Sequence, residues 1–190
     1  MLHVNLGLLQ YTLFDSSMGT VLLVARDGKL IELDLPQRQA PAVRKALLKQ
    51  HPQAVESAKP FAKLRSLLDQ YFRGKRVDFD VPFDLSDTTE FTRRVLLVVK
   101  HIPFGAATSY GAISLMLGYP AAARAVGQAV GRNPIPIVIP CHRVLRGDGE
   151  LGGFGLGVGL KKRLLALEHI EPTNKGDRFR KPLYEITRLP

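Results

Sequence analysis

The stretch from Asn133 to Val144 constrains this chain more than any other, because prolines limit what it can become. Pro136 and Pro140 bracket the apolar run Ile137-Val138-Ile139, and each proline fixes its own φ and removes a backbone donor. The run cannot continue as an interior strand past Pro140. A short apolar strand from Ile135 to Pro140 is therefore expected, presenting the next side chain at its end. That side chain is Cys141, the only cysteine in 190 residues, and His142 and Arg143 follow it directly. A lone thiol is either a small buried hydrophobe or a nucleophile. The thiolate is the reactive form, and a free cysteine is mostly protonated at neutral pH. A reactive one needs a cation, a base or a helix N-terminus close by. His142 and Arg143 are candidates for two of these.

One cysteine rules out an intramolecular disulfide and a cysteine-cluster zinc site, and the five histidines (His3, His51, His101, His142, His169) show no short ligand spacing. No apolar run approaches the roughly 20 residues that a membrane helix needs, and no basic region followed by an apolar signal core opens the sequence. The expectation is a soluble, intracellular protein without metal. With 45% hydrophobic and 23% charged residues, the chain can bury a core as one large domain or two small ones. Its formal charge of +10 is uneven: residues 86–190 hold 15 Lys and Arg against 8 Asp and Glu, so the half containing Cys141 is the more basic. Such an excess suits a polyanion, because cations set against phosphates release condensed counterions. A generally basic, solvated surface would carry the same excess.

Along the chain, Leu8 to Phe14, Thr20 to Ala25 and Leu30 to Leu35 read as three antiparallel strands, with Asp27-Gly28 a strong hairpin signal. Apolar residues spaced by three and four predict helices over Ala40–Gln50 and Lys59–Phe72, with Gly74 closing the second. Val77 to Leu85 alternates and predicts a half-buried strand. The polar stretch Ser86 to Thr89 is the expected boundary. Thr89 can cap a helix reaching about His101. Ser109 to Leu117, the turn Gly118-Tyr119-Pro120 and an alanine-rich helix from Pro120 to about Val130 look like a helix-turn-helix whose second helix starts on proline. The small residues of that second helix, including Ala123, Ala125 and Gly127, either allow close packing inside the protein or let the helix enter a nucleic-acid groove with Arg124 projecting.

The run Asn133-Pro134-Ile135-Pro136-Ile137-Val138-Ile139-Pro140-Cys141-His142-Arg143-Val144, with Ser109-Tyr110-Gly111 and Ala122-Ala123-Arg124-Ala125-Val126-Gly127 before it, resembles the O6-alkylguanine-DNA alkyltransferases. The resemblance is dense from about Phe91 to Glu168 and looser over the N-terminal sheet. It implies an α/β protein with a ribonuclease-H-like part of small antiparallel sheet and helices (1–85). A mostly helical, winged-helix-like DNA-binding and catalytic part (86–170) and a tail (171–190) would follow. The implied activity is direct-reversal repair: one irreversible transfer of an alkyl group from O6-alkylguanine to Cys141, with O4-alkylthymine a further substrate. The implied partner is double-stranded DNA bearing the lesion. The implied protein is a monomer that needs no cofactor and works in the cytoplasm, or in the nucleus of a eukaryote.

By the same resemblance His142 and Glu168 stand behind the thiol, Glu168 orienting the imidazole and the imidazole taking the thiol proton through water. Taken alone, Glu168 could be a solvated residue at the end of a helix over Lys161–Leu167. Because the lesion lies inside the duplex, the nucleotide must be rotated out of the stack. The resemblance assigns Arg124 to the vacated position, Tyr110 to rotating and donating to the base, and Asn133 to tying the helix-turn-helix to the active segment. Ala123, Ala125, Gly127, Arg143, Phe154 and Gly155 join the DNA- and substrate-binding set. Phe154-Gly155 departs from the family pattern, which has a tyrosine followed by a small residue, so a phenol hydroxyl is lost while the Gly155 N–H can still donate. Three rivals remain: a damage-flagging relative, against which Cys141 argues; a cysteine hydrolase; and a transcription factor, for which the second helix offers few base-reading side chains.

Overall fold

Asp27 and Gly28 both have positive φ (50° and 77°), the conformation a two-residue turn needs to match the right-handed twist of its flanking strands. They join β2 (Gly19–Arg26) to β3 (Lys29–Asp34), and a second tight turn joins β2 to β1 (Leu9–Ser16). In the computed structural model, residues 7–36, 39–173, 178 and 179 are described. The chain divides into two compact units, Met1–Leu85 and Ser86–Pro190.

In the first unit the sheet order is β3-β2-β1-β4. The fourth strand, β4 (Val55–Glu56), runs parallel to β1 and corrects the expected three-stranded antiparallel sheet. Two exposed residues carry no readable period, so the sequence pattern does not reveal it. Leu9, Tyr11, Leu22 and Val24 cover one sheet face and pack with Val43 and Leu47 of α1 (Ala40–Gln50). Phe14 alternates to the opposite face, where Arg65 of α2 (Ala62–Phe72) lies 4.8 Å over its ring. The predicted second helix thus holds, except that Lys59–Phe61 form a 3-10 turn ahead of it. Val77 to Leu85 is not the expected strand. Phe79 and Leu85 are buried, but pairing is confined to one bridge, Leu30 to Phe83, where Pro82 offers its carbonyl and has no N–H to extend the ladder.

In the second unit, Thr89 caps α3 (Glu90–Lys100) by accepting from the Thr92 N–H at 3.2 Å. The helix buries Val95, Leu96, Val98 and Val99. Next come β5 (Thr108–Ser109), α4 (Tyr110–Met116), α5 (Ala123–Gly131), β6 (Val144–Leu145) and α6 (Val158–Leu167), with β5 and β6 paired in parallel. The expected start of α5 on Pro120 is corrected: the helix begins at Ala123. The buried Ser114 hydroxyl donates to the Tyr119 carbonyl and accepts from the Ala122 N–H, which holds 119–122 in a turn and makes Pro120 part of it. The tail lies outside the described residues except for Glu171–Thr173, Arg178 and Phe179. Phe179 is built into the core with Ala107, Leu145, Leu151 and Leu165, and its N–H donates to the Gly149 carbonyl at 2.8 Å. Among the described residues no helix is long and apolar enough to cross a membrane.

Candidate active site

The proline-bracketed run does not form the expected strand. Val138 N–H bonds back to the Pro136 carbonyl and Ile139 N–H to that of Ile135, folding the segment into tight turns, and Ile137 takes a left-handed φ of 72°. A β-branched residue rarely adopts that conformation, at a cost of about 1–3 kcal/mol, and it persists only where the surroundings over-determine it. Here the surroundings are a fully buried pocket and Asn133. The Asn133 amide nitrogen donates to the Ile139 carbonyl at 2.8 Å, and its oxygen accepts from the Ile135 N–H. Cys141 therefore opens a 3-10 turn, Cys141–Arg143, and does not end a strand.

Asn133 also donates to the Cys141 sulfur, at 3.1 Å. Burial pushes the thiol up, opposed by this amide, by the Lys161 charge and by the backbone N–H groups of Cys141 and His142. His142 is fully buried, and burial pulls it below its ordinary value against the pull of Glu168. Its Nε2 lies 2.8 Å from Glu168 Oε1. A carboxylate only accepts, so Nε2 carries the proton and Nδ1 keeps the lone pair. Glu168 ends α6 and is itself buried, so its reading as a solvated helix end is excluded. Burial raises its carboxyl, but the His142 and Arg143 bonds and charges together outweigh that and hold it at about 2.

Arg143 departs from the expected set. It does not stand among surface residues able to meet DNA: it is buried, and its guanidinium spans Glu168 (Nε to Oε2 2.8 Å, Nη2 to Oε1 2.9 Å) and the Ile102 carbonyl (2.5 Å). Lys161 was not anticipated at all. In the sequence it begins a Lys161-Lys162-Arg163 run that resembles a solvated helix face. In the fold its ammonium is fully buried, donates to the Val144 and Leu151 carbonyls, and is lowered by burial to about 8, partly offset by Cys141.

Tyr110 begins α4 beside this site. Burial and the neighbouring Cys141 raise its phenol, so the hydroxyl keeps its proton and remains a donor. Two glycines make room for it. A Cβ on Gly152 would meet the Tyr110 hydroxyl at 3.0 Å, and one on Gly127 would touch the ring at 3.8 Å. Gly127 thus serves close packing of α5 on Tyr110, whereas Arg124 and Ala125 of the same helix are exposed and Ala123 is half-buried. The Phe154-Gly155 loop reaches the far end of α5, where a Gly155 Cβ would lie 3.5 Å from the Gly131 carbonyl.

Two family models match this chain: 6-O-methylguanine DNA methyltransferase, ribonuclease-like domain, over residues 9–85, and the DNA binding domain of the same protein over residues 90–170. The chain belongs to this family. A methylated-DNA–protein-cysteine methyltransferase of Mycolicibacterium paratuberculosis is 40% identical over 85% of this chain and 93% of its own length. One from Haemophilus influenzae is 35% identical over 93% and 95%. The solved structure of Mycobacterium tuberculosis OGT in complex with DNA superposes with a TM-score of 0.72 at 36% identity, covering 84% of this chain and 92% of that one. As a member of the 6-O-methylguanine DNA methyltransferase family, the chain combines the expected α/β architecture with a site in which Asn133 is bonded to the Cys141 sulfur and Glu168 to the ring of the next residue, His142.

Proposed function

We propose that this protein repairs DNA by direct reversal, moving the alkyl group of an O6-alkylguanine onto Cys141 in a single turnover. The observation that carries the reading is a pair of contacts on consecutive residues: the Asn133 amide on the Cys141 sulfur, and the His142 imidazole held by a buried, anionic Glu168. The sulfur attacks the alkyl carbon, forming the S–C bond as the C–O bond breaks and the electron pair passes to guanine O6. The thiol proton passes through water to the neutral His142 ring, and a proton returns to the leaving guanine, so thiol plus alkylated base becomes thioether plus guanine. A buried thiol is a poor acid and a buried imidazole a weak base, so the proton departs as the S–C bond forms and not in advance of it. Tyr110 is the donor placed to meet the base, and neutralising a leaving anion lowers its barrier.

Arg124 and Ala125 on the exposed face of α5 meet the duplex, with Arg124 filling the gap left by the rotated nucleotide. Asn133 links that helix to the thiol. The Phe154-Gly155 loop walls the lesion pocket. The protein acts as a monomer, in the cytoplasm or a nucleus, on double-stranded DNA. Residues 86–170 form the catalytic part and 1–85 the supporting part. Intact-protein mass after incubation with a duplex carrying one O6-methylguanine tests the reading. A gain of one methylene, absent in Cys141→Ala, is expected. Tight binding without a mass gain would leave a damage-flagging protein, and no binding would end the reading.

A further inference from the structure

Arg143 has no role in the chemistry above, yet it makes more charged contacts to Glu168 than His142 does. Glu168 sits where an anion is poorly placed. It is 1% exposed and closes the C-terminal end of α6, the negative end of the helix dipole. The imidazole supplies a single hydrogen bond to it. Arg143 supplies a permanent charge and two of the remaining bonds, and the Gly105 N–H adds one more at 3.2 Å. The result is an ordered division of the carboxylate. Oε1 is shared by His142 and Arg143, Oε2 by Arg143 and Gly105. The Ile102 carbonyl anchors the other end of the guanidinium. A carboxylate held on both oxygens cannot rotate, so the ring it holds cannot rotate either.

We propose that Arg143 is a positioning residue for alkyl transfer: it clamps Glu168 so that the carboxylate fixes the His142 ring for proton exchange with Cys141, and it does not hold DNA. This rests on the alkyl-transfer reading above. Cys141, His142 and Arg143 are consecutive on one 3-10 turn, so a single turn delivers the thiol, the base and the clamp of that base. A lysine at 143 keeps the charge but lacks the planar fork that reaches two carboxylate oxygens and a carbonyl at once.

The test is single-turnover transfer from a duplex with one O6-methylguanine, measured with the full chain at saturating DNA together with the affinity for that duplex. Arg143→Lys is expected to lower the maximal rate about tenfold or more, a fraction of what a general base supplies, while affinity stays within about twofold. Arg143→Met/Glu168→Gln removes both buried charges together, which keeps the fold, and is expected to transfer as slowly as Glu168→Gln alone, since the two residues act as one unit. Weakened DNA binding with an unchanged maximal rate, or losses that multiply in the double variant, would overturn the proposal. If the wild-type chain transfers nothing, the alkyl-transfer reading fails by itself. The clamp is then judged by NMR of the His142 Nε2 proton, expected to be sharp in the wild type and broadened in Arg143→Lys; the same signal in both would overturn it.

Discussion

Two places in this protein hold carboxylates away from bulk water and drive them in opposite directions. On β3, the half-buried Glu32 and Asp34 line a cavity of about 430 Å³ beside Val43 and Leu47 of α1. Burial raises both carboxyls, and the Asp34 charge raises Glu32 further. Among the described residues that line this cavity none is basic. Glu168 is buried more deeply, and burial is again the largest influence on it, but His142 and Arg143 hold it at about 2. Depth of burial therefore does not decide whether an acid inside a protein stays charged. The partners decide it, because desolvation penalises the ion everywhere, and at Glu168 a guanidinium and an imidazole N–H bonded to the carboxylate outweigh that penalty.

Removing the acids should separate the two sites most widely. Glu168→Ala leaves the Arg143 guanidinium buried without its carboxylate and should lower stability by about 3–5 kcal/mol in urea unfolding, along with alkyl transfer. Asp34→Asn strands no cation and should be neutral or stabilising by less than about 1 kcal/mol. Equal losses would break the contrast.

Acid titration should sharpen it. The folded value of Glu168, about 2, lies below its ordinary 4.5, so its contribution is complete above about pH 4.5 and is lost as pH falls towards 2. Glu32 and Asp34 have raised folded values. Their contribution is present below their ordinary 4.5 and 3.8 and is lost as pH rises through the raised ones. Carboxyl carbon NMR should show the β3 pair taking up protons first and Glu168 last; simultaneous uptake would mean the cations do not act as argued.

Lys161 extends the comparison to a buried cation. Its folded value of about 8 is below the ordinary 10.5, so in a Cys141→Ala background the stability difference between Lys161 and Lys161→Met should move in favour of lysine as pH rises from 8 to 10.5. A difference that is flat over this range would place the charge in contact with water. The smallest effect belongs to Thr108, whose buried hydroxyl has no hydrogen-bond partner among the described residues. Thr108→Val should be neutral or stabilise by about 1 kcal/mol in thermal unfolding, because nothing is lost but an unsatisfied group. A loss of that size would reveal a partner.

Much of this was legible locally. The Asp27-Gly28 hairpin, the Thr89 cap and the leucine spacing of α1 and α2 are short-range signals, and each of those elements formed there, α2 after a 3-10 turn over Lys59–Phe61. Cys141 and His142 were legible as candidates for the same reason, since the two residue types are adjacent in sequence. Signals that need a partner far along the chain were not. Val77–Leu85 alternates like a strand but finds one bridge in place of a ladder. Ile135–Ile139 is apolar like a strand but is folded back by its own hydrogen bonds and by Asn133. Phe179, within what reads as a tail, is a core residue.

The sequence by itself determined the residue chemistry and the local stops and starts: one thiol beside one imidazole, prolines that forbid a continuing strand, caps and turns that begin and end helices. Only the tertiary structure decided the electrostatics. Whether Arg143 faces DNA or Glu168, whether Lys161 is solvated or sealed, and whether a carboxylate is raised or lowered depend on which groups meet across tens of residues. Charge energies in a protein interior are set by those distances and by the exclusion of water, and neither is a property of any short stretch of chain.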